Sequence, residues 1–467
     1  MELRKNSVRQ AAEAVCNGEP TAHDLIEITL KNCSVINEGL NIFNHIAGID
    51  AIEQAKAVDR RIENGEQLPL AGLPVVIKDD ICYGVLPTGF GSSAFKDFIS
   101  PHTATAVERV MDAGAIVVGK TNLDDMGMGS TTRSSPNGPT INPWVPGYTA
   151  GSAGAAAIAA GIGMFALESD SGGSLRQGAS HCGVIGLRPT MGSVSRFGLN
   201  AFSSSFGQVG ITAFSSENII SVLKIIAGYD PRDSATSVCT DRLDEQNSTP
   251  ALKDIKIGYP VELIDYLEPS MRVIVEKTRD EYIAQGLKFE NVELSLFREA
   301  LQAYYVIAAA EASSNQARFD GIRFGKTGEA DNLEELYHKN RSSTLGREAR
   351  RRSIFGTFLL SKGNYDLYYR QALKVWSMVR QEFANAFKRC DMILLPAVKR
   401  LPASLNGDKG FLDDWSEDLF CAPVSMSGLP SLTLPAGQIE QFPVGIQLVG
   451  SPFSEELLTQ VGSRVVR

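Results

Sequence analysis

The chain has 467 residues, of which 43% are apolar, enough to bury a large core. Its formal net charge of −9 argues against a strong grip on nucleic acid by this chain alone, and no run of about eighteen apolar residues predicts a membrane span. The seven cysteines show no paired spacing and the five histidines form no metal motif. We therefore expect a reducing, cytoplasmic location and no metal site.

The first part of the chain alternates between helical and strand-like patterns. Residues 7–35 have helical spacing, with Thr21 as a candidate N-cap. Two apolar strand-like runs and an amphipathic helix follow, at residues 73–78, 115–119 and 103–113. This alternation predicts an α/β fold whose mixed, largely parallel sheet is covered by helices on both sides.

Further elements continue this pattern toward the C-terminus. A polar stretch at residues 230–250 predicts a long surface loop. The later strands are expected at 254–260, 392–396 and 442–449, and the helix-rich segments at 268–285, 301–325 and 333–391. Because no repeat or low-complexity linker interrupts the chain, we predict a single domain over residues 1–467. A helical insertion at about 300–391 is expected near the site opening.

A glycine-containing turn at residues 168–176 is the most informative local feature of the sequence. It reads Glu-Ser-Asp-Ser-Gly-Gly-Ser-Leu-Arg. A serine directly after two glycines can expose its hydroxyl on a tight turn, so Ser174 is the candidate nucleophile. The N–H groups of Ser171, Gly172 and Gly173 would be free to stabilise an oxyanion. By itself, however, such a triplet is more often a flexible turn.

Lys78 is the candidate general base. None of the five histidines has an obvious acidic partner motif, and a buried lysine can act as a base. The run at residues 73–77 is apolar and ends on this lone cation. The competing interpretation is a surface lysine at a strand end, paired with Asp79 or Asp80. The pattern alone favours that competing interpretation.

Three segments, taken in order, resemble the amidase signature family. They are Gly72-Leu-Pro-Val-Val-Ile-Lys-Asp-Asp, Gly119-Lys-Thr-Asn-Leu-Asp-Asp-Met-Gly-Met-Gly and Ser169-Asp-Ser-Gly-Gly-Ser-Leu-Arg-Gln-Gly-Ala-Ser-His-Cys-Gly-Val-Ile-Gly-Leu-Arg-Pro-Thr. The resemblance covers nearly the whole chain and implies the amidase signature fold and a serine, cis-peptide serine and lysine mechanism. It implies no cofactor in this chain. Residues 309–325 and 350–361 are most similar to the A subunits of tRNA-dependent amidotransferases.

One position departs from the family pattern. The family's relay serine lies 24 residues before the nucleophile, a count that leads here to Ala150. Losing this hydroxyl should remove much of the general-base contribution, about 10²–10⁴-fold. Replacement by Thr149 or Ser152, a water that bridges Ser174 to the lysine, loss of ordinary hydrolysis and an engineered alanine all stay open. Tyr148 and Thr149 in place of two family glycines favour natural divergence of the loop.

The same resemblance suggests residues for substrate binding. In the tRNA-dependent subunits, an arginine of the basic motif and an acidic residue of a later Asp-Leu/Ile-Phe motif hold the amino-acid end of the amide donor. The matching positions here are Arg351 or Arg352, and Asp418. A guanidinium fork suits an α-carboxylate, and a carboxylate suits an α-ammonium. The sequence does not show which arginine turns inward.

Three functional hypotheses follow. The first is a glutaminase-type amidase whose ammonia passes to B and C subunits, with ATP and Mg²⁺ bound only by a partner. Asp124 and Asp125 are candidate exit residues, and solvated loop residues are the equal alternative. The second is a paralogue that hydrolyses or forms amide bonds in a biosynthetic or catabolic pathway. Arg133 and residues 395–399, where the tRNA-dependent subunits differ, favour it. The third is an inactive pseudo-amidase that serves as a partner protein.

Overall fold

An eleven-stranded mixed sheet forms the centre of the protein. The computed structural model describes residues 6–200, 202–236, 252–407 and 411–464. Within these residues the strands are β1 (Phe43–Ile46), β2 (Pro74–Lys78), β3 (Ile116–Thr121), β4 (Phe165–Asp170), β5 (Ile185–Arg188), β6 (Gln208–Ala213), β7 (Lys256–Tyr259), β8 (Lys288–Asn291), β9 (Met392–Pro396), β10 (Ser431–Ile439) and β11 (Phe442–Gly450). Their order across the sheet is β1-β3-β2-β4-β6-β5-β10-β11-β9-β7-β8.

Both parallel and antiparallel pairings occur along this sheet. β2 is parallel to β3 and β4, and β7 is parallel to β8 and β9. The other six pairings between the described strands are antiparallel. Strands β2, β4 and β11 are buried along their whole length, as expected when both faces of a sheet are covered. The predicted mixed α/β sheet is confirmed, although antiparallel pairings form the majority.

Sixteen α-helices accompany the sheet in the described ranges. They are α1 (Val8–Cys16), α2 (Ala22–Leu40), α3 (Ile49–Glu63), α4 (Thr105–Asp112), α5 (Ala153–Ala159), α6 (Ser174–Cys182), α7 (Ser216–Ile226), α8 (Val261–Ile264), α9 (Pro269–Ala284), α10 (Phe297–Gln316), α11 (Leu333–Thr344), α12 (Arg347–Leu360), α13 (Arg370–Ala386), α14 (Phe411–Ser416), α15 (Ala422–Ser427) and α16 (Glu455–Gly462). Most of the predicted 230–250 loop lies outside the described residues.

The helices pack on the sheet in separate groups. Helices α5 and α6 contact each other and pack on β4, whereas α7 contacts α4 and α16 and packs on β6. A further group is centred on α10, which contacts α12, α13 and α15. This last group falls largely within the segment expected to form a helical insertion. The division of the chain into a domain and an insertion stays a prediction.

The helical spacing predicted over residues 7–35 corresponds to two helices, α1 and α2. Between α1 and α2, Gly18 takes a positive φ of 79° and Pro20 lacks a backbone N–H. These two residues end one helix and let the next begin. Thr21 caps α2 as predicted, because its side chain accepts a hydrogen bond from the N–H of Asp24.

Candidate active site

Ser174 and Lys78 meet at one edge of the sheet, where two parallel strands end. Lys78 is the last residue of β2, and its parallel neighbour β4 ends at Asp170, shortly before Ser174. The Nζ of Lys78 donates a hydrogen bond of 3.3 Å to Ser174 Oγ. The carboxyl ends of parallel strands are where open α/β sheets place their ligand sites. The structure therefore brings the expected nucleophile and base into direct contact.

The turn that precedes α6 leaves backbone N–H groups open to a ligand. Gly173 has a φ of 130°, which a residue with a side chain rarely adopts, and a Cβ on Gly172 would lie 2.7 Å from the Asp418 carboxylate. Both positions therefore require glycine. Within the described part of the chain, no hydrogen bond uses the N–H groups of Ser171, Gly172 or Gly173. Together with the N-terminus of α6, these donors favour negative charge beside Ser174.

A buried ion cluster fixes this turn. Asp170 accepts two hydrogen bonds of 3.0 Å from Arg176 and one of 3.3 Å from Arg188, and all three side chains are fully buried. Arg176 also donates to the Cys421 carbonyl and to Ser425. Burial acts to raise the pKa of Asp170, but the two guanidinium groups hold it below its ordinary value. The cluster thereby locks the end of β4 to α6.

Lys78 is surrounded by three oxygen acceptors. Besides Ser174, it donates to Ser169 Oγ at 2.9 Å and to the Ser169 carbonyl at 3.2 Å. Ser169 Oγ in turn donates to Asp80 Oδ2 at 2.5 Å. The competing interpretation of a surface lysine is wrong, because the residue is only 8% exposed. Asp79, one of the two acids considered as partners of Lys78, has its carboxylate 3.8 Å from the Nζ of Lys120.

Ala150, the position matched to the family's relay serine, lies in the core. It is fully buried, its N–H donates to the Thr140 carbonyl, and its own carbonyl accepts from Cys182 Sγ. It does not line the pocket in front of Ser174. The single cis peptide bond among the described residues precedes Pro20, so the cis peptide implied by the resemblance is not present around Ala150.

The two hydroxyls considered as substitutes also point elsewhere. Thr149 Oγ1 is buried and has no hydrogen-bond partner among the described residues. Ser152 caps α5 and donates to the buried Glu168 carboxylate. Ser152 does line a small cavity of about 250 Å³ that also touches Lys78 and Ser174, but it makes no hydrogen bond to either. Neither hydroxyl stands between the nucleophile and the lysine.

A pocket opens in front of Ser174 and contains about 890 Å³ of space, part of it continuous with solvent. Two sides of this site are named below. The catalytic edge consists of Lys78, Ser169, Ser171, Gly172, Gly173 and Ser174. The binding wall consists of Tyr305, Glu348, Arg352, Trp415 and Asp418.

Arg352 is the member of the basic cluster that reaches the pocket. Its side chain is 4% exposed, and its guanidinium carbon lies 4.9 Å and 5.2 Å from the ring centres of Tyr305 and Trp415. Its Nε donates a hydrogen bond of 2.8 Å to the Glu348 carboxylate. No other atom of this side chain is hydrogen-bonded to a described residue, so both Nη groups can donate to a ligand. Arg351 bonds Glu348 at 2.5 Å and does not line the pocket.

Asp418 connects the binding wall to the catalytic edge. It accepts hydrogen bonds of 2.7 Å from Tyr305 Oη and from Gln177, which belongs to α6. Burial raises the pKa of Asp418 to about 6, although the two hydrogen bonds and the charge of Arg352 act to lower it. At neutral pH the pocket therefore contains a carboxylate close to the free Nη groups of Arg352.

Asp124 and Asp125 have structural partners. The Asp124 carboxylate accepts hydrogen bonds from the N–H groups of Thr132 and Ser134, at 2.7 and 3.0 Å, and so shapes a loop that lines the pocket. Asp125 accepts from the N–H of Ala349 at the start of α12, and burial raises its pKa to about 7. Their role as ammonia exit residues stays a prediction.

Arg133, where the sequence departs from the tRNA-dependent subunits, also lines the pocket. Its Nη2 donates to the Gly407 carbonyl at 2.6 Å. Its Nη1 lies 3.9 Å from the Asp414 carboxylate. The pocket therefore contains a second guanidinium besides that of Arg352.

Several residues of the site were not identified from the sequence. Glu348 lies four positions before Arg352, a spacing that predicts an ion pair on one helix but not its place in a pocket. Tyr305 and Trp415 stack on each other, with ring centres 4.2 Å apart, although 110 residues separate them in the chain. Ser169 belongs to the same motif as Ser174, but its contact with Asp80 depends on how two strands align.

Comparison with known proteins gives the family. The family profile described as Amidase matches residues 24–459. The chain belongs to the amidase family. It is 40% identical to the A subunit of the glutamyl-tRNA(Gln) amidotransferase of Trichormus variabilis, over 97% of this chain and 96% of that protein. This is therefore an enzyme of carbon–nitrogen bond chemistry, with the amidase signature predicted from its motifs.

Solved structures agree with this assignment. The A subunit of the glutamyl-tRNA(Gln) amidotransferase of Thermotoga maritima superposes with a TM-score of 0.80 at 28% identity, covering 100% of this chain and 95% of that one. A peptide amidase from Stenotrophomonas maltophilia superposes with a TM-score of 0.81 at 25% identity, covering 99% and 98% of the two chains. The fold thus occurs both in part of an amidotransferase and in an amidase.

Neither a metal cluster nor a membrane-spanning helix occurs in the described residues. No group of three or more histidine, cysteine or acidic side chains in these ranges could hold a metal ion. No helix in the same ranges is long and apolar enough to cross a membrane.

Proposed function

We propose that this chain is a serine amidase that releases ammonia from the side-chain amide of glutamine. The observation that carries the proposal is the direct contact of Lys78 with Ser174, 3.3 Å apart, beside unoccupied backbone donors. Ser174 attacks the amide carbon while Lys78 accepts its proton and then transfers a proton to the departing nitrogen. The N–H groups of Ser171, Gly172 and Gly173 stabilise the oxyanion, and water then releases the acyl group.

The binding wall supports an amino acid as the substrate. The free Nη groups of Arg352 can hold an α-carboxylate in a two-point contact, and the ionised Asp418 can hold an α-ammonium. The Tyr305 and Trp415 rings restrict the guanidinium to one orientation. A free amino acid with a side-chain amide presents both charges and directs its amide away from them, toward Ser174.

The similarity to the two amidotransferase A subunits extends the proposal to partners. We infer that ammonia leaves this chain for a B subunit that works with a small C subunit, in the cytoplasm. ATP and Mg²⁺ would then be bound by the partner subunit and not by this chain. In this proposal, Ser174 chemistry needs no cofactor of its own.

Intact mass spectrometry tests the nucleophile directly. We expect one adduct after incubation with an amidase-directed fluorophosphonate, mapped by peptide mass to Ser174, and slow ammonia release from glutamine. Ser174→Ala should show neither. Folded wild-type protein that gains no adduct and releases no ammonia would overturn the proposal in favour of an inactive partner protein.

A second candidate function is a free-standing amidase, or an enzyme that forms an amide by transferring the acyl group to an amine. The observation that favours it is a second guanidinium at the pocket, that of Arg133, whose Nη1 lies 3.9 Å from the Asp414 carboxylate. The two functions differ in what the isolated chain prefers. A kcat/KM for small peptide amides above that for glutamine would support the second function, and the reverse order would support the first.

A further inference from the structure

A continuous series of hydrogen bonds leads from Ser174 through Lys78 to a buried carboxylate. Lys78 Nζ lies 3.3 Å from Ser174 Oγ and 2.9 Å from Ser169 Oγ, and Ser169 Oγ lies 2.5 Å from Asp80 Oδ2. Lys78 is 8% exposed and Asp80 is 3% exposed. Lys78, Ser169 and Asp80 are thus buried next to one another, and Ser174 is half-buried at the pocket.

The resting arrangement leaves Lys78 unable to act as a base. Lys78 donates to three oxygens, which uses all three protons of an ammonium group. An ammonium has no lone pair, so the lysine must release one proton before it can take the proton of Ser174. Of the three acceptors, the Ser169 carbonyl and the Ser174 hydroxyl lead to no base. Only the Ser169 hydroxyl passes its own hydrogen bond on to a carboxylate.

We propose that Ser169 and Asp80 form a proton relay behind Lys78, which frees the lysine to accept the Ser174 proton directly, with no relay serine between the two. In one step the Lys78 N–H bond breaks as a bond to Ser169 Oγ forms, and the original Ser169 O–H bond breaks as Asp80 gains the proton. The products are a neutral amine and a carboxylic acid, so charge is conserved. Lys78 then accepts the Ser174 proton as Ser174 Oγ bonds to the amide carbon. This inference rests on the proposed function of Ser174.

The reverse transfers complete the cycle. Lys78, now an ammonium, gives its proton to the nitrogen that leaves. It next takes a proton from water and returns it to Ser174 when the acyl bond breaks. Asp80 keeps its proton during these steps and gives it back through Ser169 once the product has left. Asp80 is thus a positioning residue that acts through Lys78, although it also lines the pocket.

Other buried acids near Lys78 do not offer the same path. Glu168 accepts hydrogen bonds from Ser152 and Thr212, and neither donor contacts Lys78. Asp79 is occupied by the N–H of Gly89, by Asn44 and by the charge of Lys120. By contrast, Asp80 Oδ1 is buried without a hydrogen-bond partner among the described residues, so the carboxyl group has only one anchor and room for a proton.

The test measures how fast a fluorophosphonate modifies Ser174 in the full-length protein. Asp80→Asn keeps the shape of the side chain but cannot accept a proton, and Ser169→Ala breaks the relay at its other member. We expect each variant to lower the second-order rate constant by about 10²-fold. The double variant should be no slower than either single one, because both changes interrupt the same relay.

A proton inventory separates this role from a merely structural one. A plot of the wild-type labelling rate against the D₂O fraction should be curved, because several protons move together. The same plot should be a straight line for both single variants. Asp79→Asn is the matched control, because it removes the adjacent buried carboxylate. It should lower the free energy of unfolding, but its plot of rate against D₂O fraction should stay curved. Wild-type labelling with an unchanged rate and curve in Asp80→Asn would overturn the relay and leave the proposed function standing. A wild type that is folded but never labelled would overturn the proposed function itself.

Discussion

The catalytic edge and the binding wall are built in different ways. The edge comes from the ends of two adjacent strands and the turn into α6, and the buried cluster of Asp170, Arg176 and Arg188 holds it. The wall comes from α10, α12 and the segment around residues 415–418, held by stacked rings and by Asp418. The proposed bond-breaking groups thus lie on strand ends of the central sheet, whereas the proposed substrate-binding groups lie on helices that can vary without changing the sheet.

The largest expected effect comes from breaking the support of the edge. Arg176→Met leaves Asp170 buried with one of its two cations missing, and should cost about 3–5 kcal/mol of unfolding free energy together with most of the Ser174 reactivity. Urea denaturation and the fluorophosphonate rate measure the two losses. Arg9→Met is the control, since it removes an ion pair whose side chains are 79% and 59% exposed and should leave the unfolding free energy nearly unchanged. Equal costs in the two variants would contradict this account of the edge.

A smaller effect concerns the wall and depends on pH. The pKa of Asp418 is raised from 3.8 to about 6, so the folded state binds this proton more tightly than the unfolded state does. Its contribution to stability is therefore fully present below pH 3.8 and is lost as pH rises through about 6, on the order of 2–3 kcal/mol in total. Urea midpoints between pH 4 and 7 should fall less steeply in Asp418→Asn than in the wild type.

Substrate binding should respond to the same group with the opposite sign. An ammonium-bearing substrate needs the ionised carboxylate, so the wild-type KM for glutamine should rise as pH falls below about 6. Asp418→Asn should have a high KM with little dependence on pH in this range. A wild-type KM that stays constant from pH 5 to 7 would contradict a contact between Asp418 and the substrate ammonium.

Next in size is the loss of the inward arginine. Arg352→Met should raise the KM for glutamine by about 10- to 100-fold, because it removes a charged hydrogen-bond donor to the substrate, and should change the rate of Ser174 labelling far less. Arg350→Met is the control on the same helix, as Arg350 is exposed and bonds only the Gly346 carbonyl among the described residues. A fall in kcat with an unchanged KM would show that the wall and the edge are not separable in this way.

The smallest effect is expected at Ala150. Its backbone is hydrogen-bonded to the Thr140 carbonyl and to Cys182 Sγ, and its side chain is fully buried and does not line the pocket. Ala150→Ser should therefore give no gain in glutamine hydrolysis. A gain would mean that a hydroxyl at this position reaches Lys78, and would favour the family's relay over the path through Ser169 and Asp80.

How much could be predicted differs between the two regions. The sequence was sufficient to single out Ser174, Lys78 and the glycines of the turn, which the structure brings together, because strand ends and tight turns are encoded by neighbouring residues. It was also sufficient for the mixed sheet, since apolar runs alternate with helical spacing. At residues 7–35 the sequence indicated helix and the N-cap at Thr21, and the structure adds that Gly18 and Pro20 separate two helices there. All of these are local signals, carried by neighbouring residues.

The choice between Arg351 and Arg352 could not be made from the sequence. The two are adjacent on α12, so only the packing of that helix against α10 decides which one faces the pocket. The same holds for Tyr305 and Trp415, which share no local pattern and meet only because distant helices pack together. Asp80 was considered as a partner of Lys78, whereas the structure places Ser169 between them.

The sequence by itself determined the α/β class and the family, and it singled out Ser174 and Lys78 as the expected nucleophile and base, because these depend on short motifs whose chemistry is carried by consecutive residues. Tertiary structure alone decided which arginine and which carboxylate line the pocket and which hydroxyl adjoins the lysine. Those contacts join residues tens to hundreds of positions apart, as Lys78 and Ser169 are separated by 91 positions. Their geometry follows from strand register and helix packing, which no single segment specifies.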